Sequence, residues 1–458
     1  MQKTLLLKVL SILLLVALIT IPLMMVEGII TSRIHYRDEA VSSIAADSVS
    51  KQTLVGPLLV IPYTETYQEE QIDDTTKQKV VRNLKLNRHV YIFPNELTLS
   101  ANMETAQRYR GMYKILVYSG QHKITGDFDI PVLEQIAPEK PNSHIALGQP
   151  FLSLGLSDTR GLKNVPHITL AGERYEFKQN SGLTQLTQGL HAPITLAKLK
   201  QGSKMSFDLN LMIDGIEQMA FVPIGKNNQF TVQSKWQHPH FFGRFLPSAN
   251  PQERKIDGDG FNVVWKISSL ASNAQQQITD AELSAKQAAP QIDSFGVGFI
   301  EPVNTYTKTQ RAAKYGLLFV ALTFAAFFLF EVLKQLRIHP VQYILVGLAL
   351  VIFFLLLLSL SEHIAFIKAY LVASVACISL IAFYLAHVLQ NWKRGLGFGF
   401  ALTVLYAVLY GLLQSEDNAL IMGSTLLFAV LAAIMLVTRK VDWYQIGKHV
   451  EVSPEPQN

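Results

Sequence analysis

The chain has 458 residues, 49% of them apolar, with 40 Lys and Arg against 35 Asp and Glu for a net charge of +5. So small an excess, much of it in short loops between apolar segments, implies no nucleic-acid partner. A single cysteine, Cys377, excludes a disulfide framework and a thiol redox pair.

An apolar run at residues 5–26 opens the chain, and roughly 20 such residues cross the hydrocarbon core as a helix. It has the basic start of a signal peptide but exceeds the roughly 7–15 apolar residues typical of one, and Leu23-Met24-Met25-Val26-Glu27 offers no small-residue cleavage site. It is therefore expected to be an uncleaved anchor. Residues 29–51 read as an amphipathic helical stalk. Up to residue 315 the hydrophobic period then changes to two. Strand-like runs at 54–63, 89–93, 112–118, 205–213 and 261–267 are rich in β-branched and aromatic residues, with turn formers at Pro94-Asn95, Asn227-Asn228 and Asp257-Gly258. A sandwich-like β domain is predicted, with room for two subdomains divided near the polar stretch 137–143.

Further apolar segments follow at 316–333, 343–358, 365–389, 395–413 and 419–438; the run 343–358 needs flanking residues 339–342 and 359–360 to span. The expected fold is a multi-pass α-helical membrane protein of six transmembrane helices, one plus five, with a large β-rich exterior domain. Its parts are an anchor at 1–26, the β domain at 27–315, a five-helix block at 316–444 and a polar tail at 445–458, expected to be disordered. Lys334 with Arg337, Lys393 with Arg394 and Arg439 with Lys440 mark cytoplasmic loops, whereas Glu362-His363 and Glu416-Asp417 mark the opposite side. Both termini are then cytoplasmic and 27–315 lies outside. Arg33, Arg37, Lys308, Arg311 and Lys314 run against this pattern, but a long domain translocates largely regardless of charge.

Few residues offer chemistry. Glu362, His363, Glu416 and Asp417, with Lys368 just inside the next span, form a candidate functional cluster at the outer ends of the helices. Carboxylates beside an imidazole suit a divalent cation or a proton relay; the plainer reading is that polar loops end helices, with Lys368 snorkelling outward or pairing with an acid. On the cytoplasmic side Glu331, His339, Arg439 and Asp442 form a candidate structural cluster, because pairing lowers the cost of charge near the bilayer. Trp392, Tyr343, Trp443 and Tyr444 read as interfacial anchors. Gly395-x-Gly397-x-Gly399 follows no strand and fits close helix packing better than a dinucleotide site. His238-Pro239-His240 has no third ligand for zinc, and Ser157-Asp158 lacks the nucleophile elbow of a hydrolase. No catalytic residue, metal or cofactor is assigned.

Several longer runs carry a resemblance. His339-Pro340-Val341-Gln342-Tyr343, Leu357-Leu358-Ser359-Leu360-Ser361-Glu362-His363, Gln414-Ser415-Glu416-Asp417-Asn418-Ala419-Leu420 and Thr438-Arg439-Lys440-Val441-Asp442-Trp443-Tyr444 lie in the helical block. The exterior part has Gly56-Pro57 with Ile61-Pro62-Tyr63, then Ser157-Asp158-Thr159-Arg160-Gly161. It continues with Trp236-Gln237-His238-Pro239 leading to Phe245-Leu246-Pro247, and Gly260-Phe261 leading to Trp265. In this order they resemble the CreD family of bacterial inner-membrane proteins. The resemblance implies a role in envelope integrity under a sensor-kinase stress response, with altered tolerance to insults such as colicins and β-lactams, and no established enzymatic reaction. Expected partners are membrane lipids and periplasmic or envelope proteins. The alternative is a membrane enzyme or transporter acting on an envelope lipid or glycan precursor; the near absence of charge within the spans argues against proton-coupled transport.

Overall fold

The computed structural model describes residues 2–72, 79–111, 113–133, 138–184, 186, 188–283, 292–299, 305–334, 338–389, 391–414 and 419–439. The tail at 445–458 lies outside them. The chain divides into a helical unit, Met1–Asp38 with Val303–Asn458, and a β-rich unit, Glu39–Pro302.

In the β-rich unit the period-two pattern becomes paired strands. Along Glu96–Arg110 the side chains of Leu97, Leu99, Ala101 and Met103 are buried while the residues between them face water, as expected of a strand with one face on a core. Asn227–Ser234 and Lys204–Ile216 alternate in the same way. One sheet runs in the order Arg254–Asp257, Gly260–Ser268, Asn227–Ser234, Glu96–Arg110, Tyr113–Asp129, Lys204–Ile216, His167–Leu170, Glu173–Glu176. The other has the order Pro239–Gly243, Phe295–Phe299, Gln218–Phe221, Gln52–Ile72, Phe151–Leu156, Gly189–Pro193, Lys178–Gln179. Lys79–Ile92 and His144–Leu147 also pair with its central strand Gln52–Ile72. That strand and Phe295–Phe299 are continuously apolar where they cross the core, and residues 54–61 and 295–299 are buried on both faces.

A single hydrophobic cluster takes residues from both sheets. Phe221 and Phe295 of one meet Phe230 and Trp265 of the other, with centroids 5.7 Å apart for Phe221–Phe230 and 5.1 Å for both Phe230–Phe295 and Trp265–Phe295. The chain alternates between sheets throughout, so segments from either side of 137–143 pair in both: Gln52–Ile72 with Phe151–Leu156, and Tyr113–Asp129 with Lys204–Ile216. Residues 137–143 therefore mark no boundary between subdomains. Asn227-Asn228 is likewise no turn. It opens a strand, and the buried Asn228 amide donates to the carbonyls of Gly225 (2.7 Å) and Ile267 (2.9 Å), tying the preceding loop to the sheet.

The expected anchor and stalk are one helix, α1 (Gln2–Asp47), because nothing between residues 26 and 29 breaks the hydrogen-bond ladder. In the β-rich unit Ile44, near the end of α1, packs with Ile115 and Ile216; a short helix, α2 (Ala274–Leu283), adds Ala274 and Ile278 to the main core. The helical unit continues with α3 (Thr305–Lys314), α4 (Gly316–Lys334), α5 (Pro340–Ser361), α6 (Phe366–Val388), α7 (Trp392–Gln414) and α8 (Ala419–Thr438). Among the described residues α1, α5, α6 and α7 are long and apolar enough to cross a membrane; α3 and α4, bent by 42° at Tyr315, make a fifth span if taken together. The apolar stretch Ile421–Leu436 of α8 is shorter. As expected, α5 borrows residues on both sides of 343–358.

The helices pack through small residues and rings. A Cβ on Gly395 would lie 2.6 Å from that of Ala386, and one on Gly399 would lie 3.0 Å from that of Ala382, so these glycines let α7 close on α6. Phe353 of α5 stands edge-on to Tyr406 of α7 at 4.7 Å, and the Tyr370 hydroxyl of α6 donates to the Tyr406 carbonyl at 2.7 Å. Cys377, buried here, donates to the Ala349 carbonyl at 3.3 Å.

Candidate functional site

Each end of the helical bundle holds a buried carboxylate, and in each case the partner is a cation of α1. Glu362 caps the C-terminus of α5 with its side chain only 6% exposed. Arg33 approaches it through Nε at 3.5 Å, and the Tyr306 hydroxyl of α3 donates to Oε1 at 3.4 Å. Lys308, also on α3, donates to Gln414 Oε1 at the end of α7 (3.3 Å) and lies 5.2 Å from the Phe366 ring centroid at the start of α6. Thus α3 is tied to the ends of α5, α6 and α7 at once. His363 and Lys368 are exposed, and Lys368, in the first turn of α6 beyond the break at 362–365, does not pair with Glu362, which Arg33 takes instead. Glu416 and Asp417 lie outside the described residues.

At the other end Glu331, 2% exposed, is enclosed by three donors. Lys8 of α1 and the Ile338 backbone N–H (2.9 Å) reach Oε1, and the Tyr343 hydroxyl reaches Oε2 at 2.9 Å. Tyr343 is therefore a buried partner of the acid, not an interfacial anchor; Phe324 and Phe327 of α4 cover its ring with centroids at 5.4 and 4.7 Å. His339 joins no charge cluster. Its Nδ1 accepts from Val341 N–H at 3.3 Å while Gln342 accepts from the His339 N–H at 3.2 Å, which caps the start of α5 reciprocally. Arg439 is exposed just beyond α8, and Asp442, Trp443 and Tyr444 lie outside the described residues.

These arrangements are better suited to holding charge than to moving it. At both ends the acid faces a cation of α1 and a tyrosine hydroxyl, partners that lower the cost of its charge near the bilayer. Among the described residues no three His, Cys, Asp or Glu side chains converge as metal ligands. The His238 carbonyl accepts from Trp236 Nε1 at 2.9 Å, and His240 stacks on Phe242 in an edge strand.

Sequence reasoning missed both α1 cations as partners. For Arg33 the available signal was its departure from the loop-charge pattern expected from the sequence, since a cation that runs against that pattern calls for an acid beside it; Lys8 carries no such signal. It also missed what Ser157-Asp158-Thr159-Arg160-Gly161 does. Asp158 accepts from the Ser50 N–H (3.0 Å), the Arg160 N–H (3.1 Å) and the Arg160 guanidinium (2.7 and 2.9 Å). The guanidinium also reaches the Ala46 carbonyl (2.5 Å) and the Ala45 carbonyl (2.9 Å), satisfying the last turn of α1. Burial raises the Asp158 proton affinity, but Arg160 and the two N–H donors outweigh it and bring the carboxyl down to about 2. Buried Gln52 completes the knot, donating to the carbonyls of Asp158 (2.8 Å) and Asp214 (3.1 Å).

Comparison with known proteins matches this layout. The family model described as Inner membrane protein CreD matches residues 4–444. Inner membrane protein CreD of Escherichia coli (strain K12) is 36% identical over 430 residues, covering 94% of this chain and 91% of that protein. A match of this extent includes α1, both sheets and the helical block, and the chain belongs to the CreD family of inner membrane proteins.

Proposed function

We propose that this protein supports the integrity of the bacterial envelope from the inner membrane, without catalysing a reaction. It crosses six times, keeps both termini in the cytoplasm, and presents residues 27–315 to the periplasm as a β sandwich that engages envelope components, either lipids or proteins. One observation carries the reading. Helix α1, which precedes the β-rich segment, is paired with helices that follow it at both ends of the bundle, Lys8 with Glu331 and Arg33 with Glu362. Arg33 follows Lys8 by 25 positions, about 37 Å of helix, close to the thickness of a bilayer with its headgroups. Charges spaced in this way hold the first helix in register across the membrane. The β-rich segment then enters and leaves one helical assembly, an arrangement suited to coupling an exterior domain to a membrane anchor.

Two measurements test this. A reporter active only outside the cytoplasm scores when fused at Glu416 and fails at Lys393; the reverse pattern refutes the topology. A strain lacking the protein is complemented under β-lactam challenge by the full chain, but not by one with residues 39–302 replaced with a flexible linker at equal abundance. Complementation by the linker chain places the function in the helices instead. On this reading Glu362→Gln reduces the amount of folded protein through the Arg33 pair, so abundance is followed beside phenotype; loss of phenotype at full abundance favours a working site at Glu362.

A further inference from the structure

A groove of about 560 Å³ separates α4 from α7, within the roughly 300–1,000 Å³ range of small-molecule clefts. Its walls are apolar: Leu322 and Ala326 line one side, Gly397, Ala401 and Leu405 the other, and Phe398 and Leu402 also face it. The three residues of α7 recur every fourth position, so the groove follows that helix for about 12 Å. One end differs. Lys393 and Arg394 line it in the first turn of α7, and among the described residues neither side chain has a hydrogen-bond or ion-pair partner. Their backbone N–H groups are already taken by Asn391, whose Oδ1 and carbonyl accept at 3.0 and 3.1 Å. What they offer is therefore side-chain charge.

We infer that this groove binds one anionic glycerophospholipid. Its phosphate sits at Lys393 and Arg394, and an acyl chain runs over Gly397, Ala401 and Leu405. The chemistry is matched end to end. Two cations at the mouth of an apolar channel suit a headgroup with net negative charge better than a zwitterionic one, and the channel behind them has no use for a free phosphate.

The test uses the full chain purified in a mild detergent and examined by native mass spectrometry with equal amounts of phosphatidylglycerol and phosphatidylcholine. The expected result is a single phosphatidylglycerol adduct favoured on the order of ten-fold, from two basic residues at the membrane surface. Lys393→Gln/Arg394→Gln removes that preference. Gly397→Leu fills the channel and abolishes the adduct for either lipid. A Cβ at Gly397 meets no atom within 4 Å, so this variant keeps the helical fold, checked by circular dichroism and elution volume. Equal binding of the two lipids, or a phosphatidylglycerol adduct untouched by Gly397→Leu, overturns the inference. So does displacement of the adduct by excess inorganic phosphate, which makes the site one for free phosphate, or a lipid-free dimer, which fills the groove with a second copy.

Discussion

His122 should make the β-rich unit lose stability in mild acid, and removing that one side chain should abolish most of the effect. The residue lies on the strand Tyr113–Asp129 at 2% exposure. Its Nδ1 is 3.0 Å from the Gly120 carbonyl, which can only accept, so Nδ1 holds the proton and Nε2 is left as a bare lone pair with no partner. Burial disfavours the charged ring and outweighs the help of the Gly120 carbonyl, pushing the imidazole from 6.5 down to about 4. Because the folded value lies below the unfolded one, the unfolded chain takes up the proton first as pH falls. Stability is complete above about pH 6.5, is withdrawn between there and pH 4, and falls no further on this account below that. At about 1.36 kcal/mol per pH unit the whole window is worth about 3 kcal/mol, of which about 2 kcal/mol is lost between pH 7 and pH 5. The assay is urea unfolding of the Glu39–Pro302 segment at those two pH values, followed by the fluorescence of buried Trp265. His122→Leu and His122→Gln should each flatten the dependence, leaving a smaller slope from His89, whose burial also lowers it. A slope as steep in both variants as in the wild type would refute the reasoning and move the acid sensitivity elsewhere.

Asp158→Asn should cost about 2 kcal/mol at pH 7, and the difference from wild type should vanish as the pH falls from 3.8 towards 2, since a depressed carboxyl stabilises only while ionised; an unchanged difference at pH 2 in urea unfolding would contradict this. Gly395→Val should destabilise the α6–α7 contact by about 1–3 kcal/mol through overpacking against the Ala386 backbone, read as a lower melting temperature in detergent, whereas Gly397→Ala should be neutral. Glu331→Gln alone should reduce the folded protein in membranes more than Lys8→Met/Glu331→Gln does. Breaking one side of a buried pair costs about 3–5 kcal/mol, here nearer the lower figure because Lys8 is 36% exposed. Additive losses in that double-mutant cycle would show that the two residues do not interact.

The elements were legible where periodicity reports on local structure. Val90 and Leu209 lie in strands and Leu350 in a helix because alternation and continuous apolar runs are set by neighbours along the chain. The pairing of strands was not legible. Nothing in the local sequence shows that residues 52–54 run parallel to 219–221, since that choice is made by apolar segments meeting across more than a hundred residues. A polar stretch such as 137–143 looks like a boundary from within the chain, yet Glu65 receives the N–H groups of Glu139 (3.2 Å) and Lys140 (2.8 Å) and binds that stretch to the sheet.

The charged residues follow the same rule with larger consequences. Reasoning from sequence groups charges by the span ends they flank within the helical block, so Glu362 is set with His363, Glu416, Asp417 and Lys368, and Glu331 with His339, Arg439 and Asp442. In the fold, partners are chosen by helix depth, and α1 supplies both through residues separated from their acids by more than three hundred positions. For Arg33 the loop-charge pattern expected from the sequence contained the missing information as an apparent exception. On the orientation proposed above, Arg33 and Lys308 sit where cations are disfavoured, and each is held by a polar group at that depth, Glu362 or Gln414. On the same orientation Lys393 and Arg394 obey the rule, yet their side chains have no protein partner among the described residues. By the same logic, their partner is to be sought in the lipid.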